Sequence, residues 1–296
     1  MAIMKAFAVY FIFISVSHFG NTVEAEETNT RPLEIEARFI SMERNRLASP
    51  LKGLSAQVGK FSVDGLIQYA LLLQPENGMP ESGWPVIIFN HGFHPEPSMS
   101  GRRTIDGISD RPGDYYRQIP QILARQGFLI VAPDYRGHND SIGTEFTLQE
   151  NSSNWYVRDV LGMLTSLQGN SHANMEHLFM LGHSMGAEVT LLAAAALGGR
   201  LKGASIWSAH VPAVNASQLE QIYSPINIHH AKDDPTTVFE GSVAIASQLD
   251  QLGNTSKLYS YLSANHLFTG DNLQLAITRD IEFFRHIMLT HGTRQE

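Results

Sequence analysis

Hydrophobic and polar positions follow two different periods along this chain, and the two periods alternate. Short apolar runs, such as residues 85–90 and 128–132, are typical of strands that are covered on both faces of a parallel sheet. Longer segments, such as residues 154–167 and 271–289, have apolar residues every three or four positions and predict helices. Strands that alternate with helices predict an α/β fold with a mostly parallel central sheet and helices on both faces. Further strands are predicted at residues 57–63, 66–73, 177–181, 203–207, 226–229 and 257–262, and further helices at residues 114–126, 185–197, 216–223 and 239–252.

The dipeptide Asp64-Gly65 joins the first two predicted strands. Asp-Gly between two apolar runs is a strong signal for a β-hairpin. We therefore expect these two strands to form an antiparallel edge of the sheet.

Composition limits the classes of protein that fit the chain. A length of 296 residues and a hydrophobic content of 43% are enough for a large core. The net charge of −8 argues against a nucleic-acid-binding protein, because phosphate binding needs a basic face. The chain has no cysteine, so its stability cannot depend on disulfides, and this favours a bacterial periplasm or medium over a eukaryotic secretory route.

The first 27 residues have the pattern of a secretory signal. Lys5 supplies a positive start, residues 6–16 are almost wholly apolar, and Val23-Glu24-Ala25 has small residues at the spacing that signal peptidase requires. We therefore predict a signal peptide at residues 1–25, one domain at residues 26–296, and a secreted or periplasmic protein. A stable membrane anchor is the alternative, but the apolar run is shorter than the roughly 20 residues that cross a bilayer.

A candidate nucleophile lies between a predicted strand and a predicted helix, in the sequence Met180-Leu-Gly-His-Ser-Met-Gly. In a sharp strand–turn–helix connection the serine adopts a strained conformation that exposes its hydroxyl at the carboxyl edge of the sheet. The residues two before and two after it must then be small, as Gly182 and Gly186 are around Ser184. An ordinary glycine-rich turn has the same pattern, so Ser184 as nucleophile depends on suitable partners elsewhere.

A serine hydroxyl needs a histidine to take its proton and a carboxylate to orient that histidine. His266 follows the last predicted strand, so it can reach the sheet edge that carries Ser184, although it could also be a loop-packing histidine. Asp233 and Asp234 follow the preceding predicted strand, and either could support the histidine. The other would accept backbone N–H groups within its loop. His183 is expected to point away from the site.

The oxyanion that forms when a serine attacks a carbonyl needs two N–H donors. We expect these from Met185, after the nucleophile, and from Phe93, after the His91-Gly92 turn. His229 and His230 near the two aspartates raise the alternative of a metal site, but adjacent residues of a strand point to opposite faces. The sequence therefore predicts no metal and no cofactor.

Six motifs support this constellation as a set: Asn90-His-Gly-Phe, Pro133-Asp-Tyr-Arg-Gly-His, Trp155-Tyr-Val-Arg-Asp-Val, Gly182-His-Ser-Met-Gly, Lys232-Asp-Asp-Pro and Asn265-His. Together they resemble the α/β-hydrolase superfamily, and within it the dienelactone hydrolase and prolyl-oligopeptidase-like branch, over about residues 66–288. The chain order of nucleophile, acid and histidine is that of the superfamily. The resemblance implies an α/β-hydrolase fold. It also implies that Asp234 is the acid, since the family's His-Gly-x-x-Asp stretch corresponds to His230-Ala-Lys-Asp-Asp, with Ala231 in place of the glycine.

The resemblance implies a serine hydrolase, and we expect cleavage of a small-molecule carboxylic ester through an acyl-enzyme. Residues 210–224 suffice for a short helix but not for a cap domain, so the lid should be minimal and the site open. The loop at residues 93–113, with Arg102 and Arg103, is either a wall of the substrate site or a solvated loop. The alternatives are a serine peptidase, although few residues precede Val86 to form the β-propeller usual in that branch, and a catalytically silent binding protein.

Overall fold

Nine strands form one mixed sheet in the described part of the chain. The computed structural model describes residues 35–44, 51–99, 118–147, 149 and 151–292. The strands are β1 (Ala37–Arg44), β2 (Leu54–Val63), β3 (Leu66–Pro75), β4 (Trp84–Asn90), β5 (Leu129–Asp134), β6 (Ala173–His183), β7 (Gly203–Trp207), β8 (Ile226–Ala231) and β9 (Ser256–Tyr261). The helices are α1 (Gln118–Arg125), α2 (Ser152–Leu167), α3 (Met185–Leu197), α4 (Ala216–Leu219), α5 (Phe239–Gln251) and α6 (Gly270–Gly292).

The strands are arranged in the order β1-β2-β3-β5-β4-β6-β7-β8-β9. Strands β4 to β9 pair in parallel, whereas β1, β2 and β3 pair antiparallel and β3 joins β5 antiparallel. Helices α2, α3 and α5 bury apolar residues in the core on one face, and α1 and α6 do so on the other. The predicted α/β fold is confirmed, and the carboxyl ends of the parallel strands share one edge.

The antiparallel edge begins with the predicted hairpin. Val63 of β2 pairs with Leu66 of β3, and the intervening Asp64 and Gly65 have φ angles of 52° and 78°. Two successive positive φ angles are those of a type I′ turn, which matches the twist of paired strands. The hairpin prediction is therefore confirmed.

Strand β1 was not predicted from the sequence. It lies at the edge of the sheet, and its Phe39 remains 44% exposed while its ring packs edge-on against Phe61 of β2. An edge strand needs few buried residues, and here pairing with β2 organises a segment in which polar and apolar residues do not alternate regularly.

The helices follow the predicted apolar spacing. Pro120 is the third residue of α1 as described, within the first turn, where a missing N–H breaks no intrahelical hydrogen bond. The predicted start of this helix at residues 114–117 lies outside the described residues. Within the described ranges, no helix combines the length and the apolar character needed to span a bilayer.

Two of the sequence motifs meet in a buried ion pair below the sheet edge. Arg136, just after β5, donates to both carboxylate oxygens of Asp159 on α2, with its NH2 nitrogen 2.7 Å from Oδ1. Phe146 and Trp155 each lie over the Arg136 guanidinium, with ring centroids 5.0 and 5.2 Å from Cζ. Charge-assisted and cation–π contacts together hold α2 against the end of β5.

Candidate active site

Ser184 occupies the sharp turn between β6 and α3 that the sequence predicted. Its φ and ψ angles are 56° and −120°, a conformation that costs an L-residue of order 1–3 kcal/mol. A Cβ atom at Gly182 would overlap the carbonyl oxygen of Gly186, and one at Gly186 would overlap that of Asn90. The two glycines are therefore required by close backbone approach, and the turn holds Ser184 at the carboxyl edge of the sheet.

Asp234 and His266 lie in direct contact, whereas Asp233 does not reach the histidine. His266 Nδ1–H donates to Asp234 Oδ2 over 2.8 Å, and the Asp234 side chain is fully shielded from solvent while that of His266 is 18% exposed. Asp233 Oδ1 instead accepts the backbone N–H of Ala264 at 3.1 Å. Of the two candidate acids, only Asp234 fixes the tautomer of His266.

A dense set of donors stabilises the charge of Asp234. Its Oδ1 accepts the backbone N–H groups of Thr236 and Thr237 at 2.8 and 3.0 Å, and its Oδ2 accepts the Thr237 hydroxyl at 2.8 Å. Burial favours the neutral carboxyl, but hydrogen bonds from His230, His266 and these backbone groups outweigh burial and hold the pKa of Asp234 far below its ordinary value. The carboxylate therefore remains charged throughout the neutral pH range.

The loop that carries His266 packs against the Ser184 turn through His183. His183 Nε2–H donates to the carbonyl oxygen of His266 at 2.7 Å, and the two imidazole rings meet edge-on with centroids 4.6 Å apart. The Ser208 hydroxyl donates to the same carbonyl at 2.8 Å. Burial lowers the pKa of His183 to about 3, so its ring is neutral. The expectation that His183 points away from the site is wrong, because its ring supports the His266 loop.

The described residues contain no hydrogen bond between the Ser184 hydroxyl and His266. The two side chains are carried by segments that His183 ties together, and catalytic hydrogen bonds without substrate are often long and tighten when it binds. Since Nδ1 of His266 is held by Asp234, Nε2 is the nitrogen available to exchange a proton with a hydroxyl.

A pocket of about 360 Å³ opens beside Ser184. Phe93 and Met185 both line it, and the N–H group of neither residue forms a hydrogen bond within the described residues. The Phe93 side chain is 70% exposed and forms an apolar part of the wall. The other lining residues are Asn151, Ser152, Ser153, Glu188, His210, Pro212, Ala213, Thr236 and Thr237.

Comparisons with known proteins agree with this architecture. Residues 105–217 match the model of a family described as serine aminopeptidase, S33, which is less than half of the chain. Monoglyceride lipase of Rattus norvegicus is 34% identical over 80 residues, which are 27% of this chain and 25% of the lipase. The match thus spans about a quarter of the length of that curated relative.

Solved structures share the fold over a much larger part of the chain. Est1E from Butyrivibrio proteoclasticus, with ferulic acid bound, superposes with a TM-score of 0.60 at 18% identity and covers 76% of this chain and 97% of its own. Acylaminoacyl peptidase of Pyrococcus horikoshii has a TM-score of 0.61 at 18% identity and covers 79% of this chain and 42% of its own. The chain has the α/β-hydrolase fold, and the predicted fold is thereby confirmed.

The connection between β7 and β8, all of which the structure describes, contains only one short helix, α4. The predicted minimal lid is therefore observed. His210, Pro212 and Ala213, from the start of this connection, line one side of the pocket. Of the loop predicted to wall the site, residues 93–99 are described, and Arg102 and Arg103 lie outside the described residues.

His229 and His230 belong to two separate hydrogen-bond networks, as their adjacent positions on β8 predict. His229 Nε2–H donates to Asp280 of α6 at 3.0 Å, whereas His230 contacts the Thr237 carbonyl oxygen and the Ser242 hydroxyl. No group of side chains suited to hold a metal ion occurs in the ranges that the structure describes.

Sequence reasoning missed two parts of the site. Thr237 and Thr236 supply donors to Asp234, and the sequence Asp-Pro-Thr-Thr carried a signal for this, since an aspartate often accepts N–H groups two or three residues ahead. Glu188 lines the pocket from the first turn of α3. A helical glutamate four residues after the serine carries no sequence signal that distinguishes it from a solvent-facing residue.

Proposed function

We propose that this α/β-hydrolase is a serine hydrolase that cleaves carboxylic esters through an acyl-enzyme. Ser184 is the nucleophile, His266 the general base and acid, and Asp234 the carboxylate that orients His266. The observation that carries the proposal is the 2.8 Å contact of His266 Nδ1 with Asp234, on a loop that packs against the Ser184 turn.

In the first step the Ser184 hydroxyl attacks the ester carbonyl while His266 Nε2 takes its proton. The Asp234 carboxylate stabilises the imidazolium that forms. The backbone N–H groups of Phe93 and Met185 stabilise the oxyanion, and His266 then returns the proton to the departing alcohol. Water, activated by the same imidazole, hydrolyses the acyl-enzyme and regenerates Ser184.

Two groups of similar proteins favour ester and peptide substrates respectively. A further structure with the same fold, at a TM-score of 0.62 and 14% identity, is named esterase Est22, whereas the matching family model and the Pyrococcus horikoshii structure are named for peptidases. We favour esters because the pocket is open and the lid is a single short helix. A serine peptidase is the second candidate, since the same three side chains would also cleave an activated amide.

Paired chromogenic substrates, which release nitrophenol from an ester and nitroaniline from an amide, decide between the two candidates. We expect short acyl nitrophenyl esters to be hydrolysed and aminoacyl nitroanilides to be hydrolysed far more slowly, with both activities absent from Ser184→Ala. Faster turnover of the anilides, relative to their uncatalysed rates, would assign the protein as a peptidase.

We also propose that the protein is exported, on the basis of the sequence of residues 1–25, which lie outside the described residues. The expected mature chain begins at Glu26. Mass spectrometry of the N-terminal peptide of the full-length gene product tests this, and a peptide that retains Met1 would contradict it.

A further inference from the structure

The pocket beside Ser184 contains a carboxylate that the proposed reaction does not use. Glu188 lies one helical turn after Ser184 on α3, lines the pocket, and is only 3% exposed. Buried glutamates are uncommon unless they are paired. No Lys or Arg within the described ranges forms an ion pair with Glu188.

Both carboxyl oxygens of Glu188 accept hydrogen bonds. One oxygen accepts the hydroxyl of Ser153, and the other accepts the backbone N–H of Ala213. Ser153 belongs to the first turn of α2, and Glu188 belongs to the first turn of α3, where the positive end of a helix dipole favours a nearby acidic side chain. A carboxylate has about four acceptor positions, and these contacts leave some of them for a ligand.

The position of the pocket indicates which part of an ester enters it. The alcohol must leave next to the imidazole that protonates it, and His266 is not among the residues that line the pocket. Phe93 and Met185, whose N–H groups face the carbonyl oxygen in the proposed reaction, do line it. The acyl chain is therefore the part that extends from Ser184 into the pocket.

We propose that Glu188 selects acyl groups whose far end carries a hydrogen-bond donor, above all a cationic ammonium group, and rejects acyl groups that end in a carboxylate. This inference depends on the proposed ester hydrolysis. Phe93, Met185 and Pro212 contact the apolar middle of the acyl chain, and Glu188 binds its end. Four residues of helix rise by about 6 Å, which sets the reach of the chain from the carbonyl carbon to the carboxylate.

The experiment uses umbelliferyl esters of acyl chains of about four to six carbons, the length that spans this rise. At each length the chain ends in a methyl, hydroxyl, ammonium or carboxylate group. In wild type the carboxylate ester should have the lowest kcat/KM. In Glu188→Gln, the ratio of kcat/KM for the ammonium ester to that for the methyl ester should fall about 10- to 100-fold, because a buried charge-assisted hydrogen bond is lost.

Glu282→Gln is the matched control, because Glu282 is exposed on α6 and outside the pocket. Glu282→Gln should leave the ratios of kcat/KM among the four esters unchanged. An equal loss for all four esters in Glu188→Gln would show that Glu188 only ties Ser153 to Ala213, and it would overturn the proposal. If Glu188→Gln does not fold, the order of kcat/KM among the four esters in wild type tests the proposal instead. A wild-type preference for the carboxylate ester overturns it. Absence of turnover for every ester would contradict the ester hydrolysis itself.

Discussion

At the scale of single residues, the position of each group follows from the hydrogen bonds that hold it. Asp233 and Asp234 are neighbours in sequence, yet one accepts an N–H group of the His266 loop and the other accepts His266 itself. The two aspartates therefore have different hydrogen-bond partners within the same turn, which makes them a matched pair for mutation.

Asp234→Asn should lower kcat/KM for a nitrophenyl ester by about 10³- to 10⁴-fold, because an amide at this position no longer holds His266 in the required tautomer or stabilises its charge. Asp233→Asn keeps an amide oxygen that can accept the Ala264 N–H, so it should cost less than about tenfold, or about 1.4 kcal/mol. Steady-state kinetics of the two purified variants, with matching circular dichroism spectra, test this. A larger loss in Asp233→Asn would reverse the assignment.

The sequence could predict these residues only in part. Ser184 has a local signature, and His266 and the aspartates follow predicted strands, so their common sheet edge follows from the parallel topology. The contact of His183 with the His266 carbonyl depends on how two loops distant in sequence pack together. No local pattern contains that information, and the expectation for His183 was accordingly wrong.

At the scale of elements, the site depends on how closely β4, β6 and α3 approach one another. Gly186 lies in the first turn of α3, directly against the carbonyl oxygen of Asn90 at the end of β4. This contact fixes the start of α3, and hence Ser184, relative to the turn that carries Phe93.

Gly186→Ala should lower the free energy of unfolding by about 3 kcal/mol or more, since its methyl group would overlap backbone that cannot move aside cheaply. Gly199→Ala is the control. A Cβ atom there would meet no neighbouring atom, so its free energy of unfolding should change by less than about 1 kcal/mol. Urea denaturation measures both. Equal stabilities of the two variants would show that the close approach at Gly186 is not required.

The bounds of helices and strands were predicted best where the apolar pattern of the segment itself determines its conformation. The bounds of α3 and β7 agree with the predicted residues 185–197 and 203–207, because both are almost entirely apolar and buried. Strand β1 was missed because pairing with β2, rather than its own residues, determines its conformation. The pocket arises where α2, α3 and the β7–β8 connection meet, which no single segment could indicate.

At the scale of the whole molecule, buried neutral histidines link stability to pH. Burial lowers the pKa of His91 to about 4 and those of His138 and His183 to about 3. In the unfolded chain each histidine takes up a proton near pH 6.5, so the unfolded state binds more protons below that pH. Their contribution to stability is complete above about pH 6.5 and is lost as the pH falls toward 4 and 3.

Each of these histidines should therefore lower the free energy of unfolding by about 2 kcal/mol between pH 8 and pH 5. Burial raises the pKa of Asp159 to about 6, and its protonation in the folded state offsets part of this fall. The lowered pKa of Asp234 does not contribute to this loss, because its effect begins only below the ordinary value of 3.8. Replacing one titrating group, as in His138→Gln, should reduce this fall by about 2 kcal/mol. Urea denaturation at a series of pH values measures this, and an unchanged slope would contradict it.

The central claim is that Ser184 is a nucleophile activated by the Asp234–His266 pair, and covalent labelling tests it most directly. The full chain is incubated with a fluorophosphonate, and the adduct is located by mass spectrometry of tryptic peptides. One label per chain is expected on Ser184, absent from Ser184→Ala and formed far more slowly in Asp234→Asn. A folded protein that hydrolyses esters but takes the label on another residue, or on none, would contradict the claim.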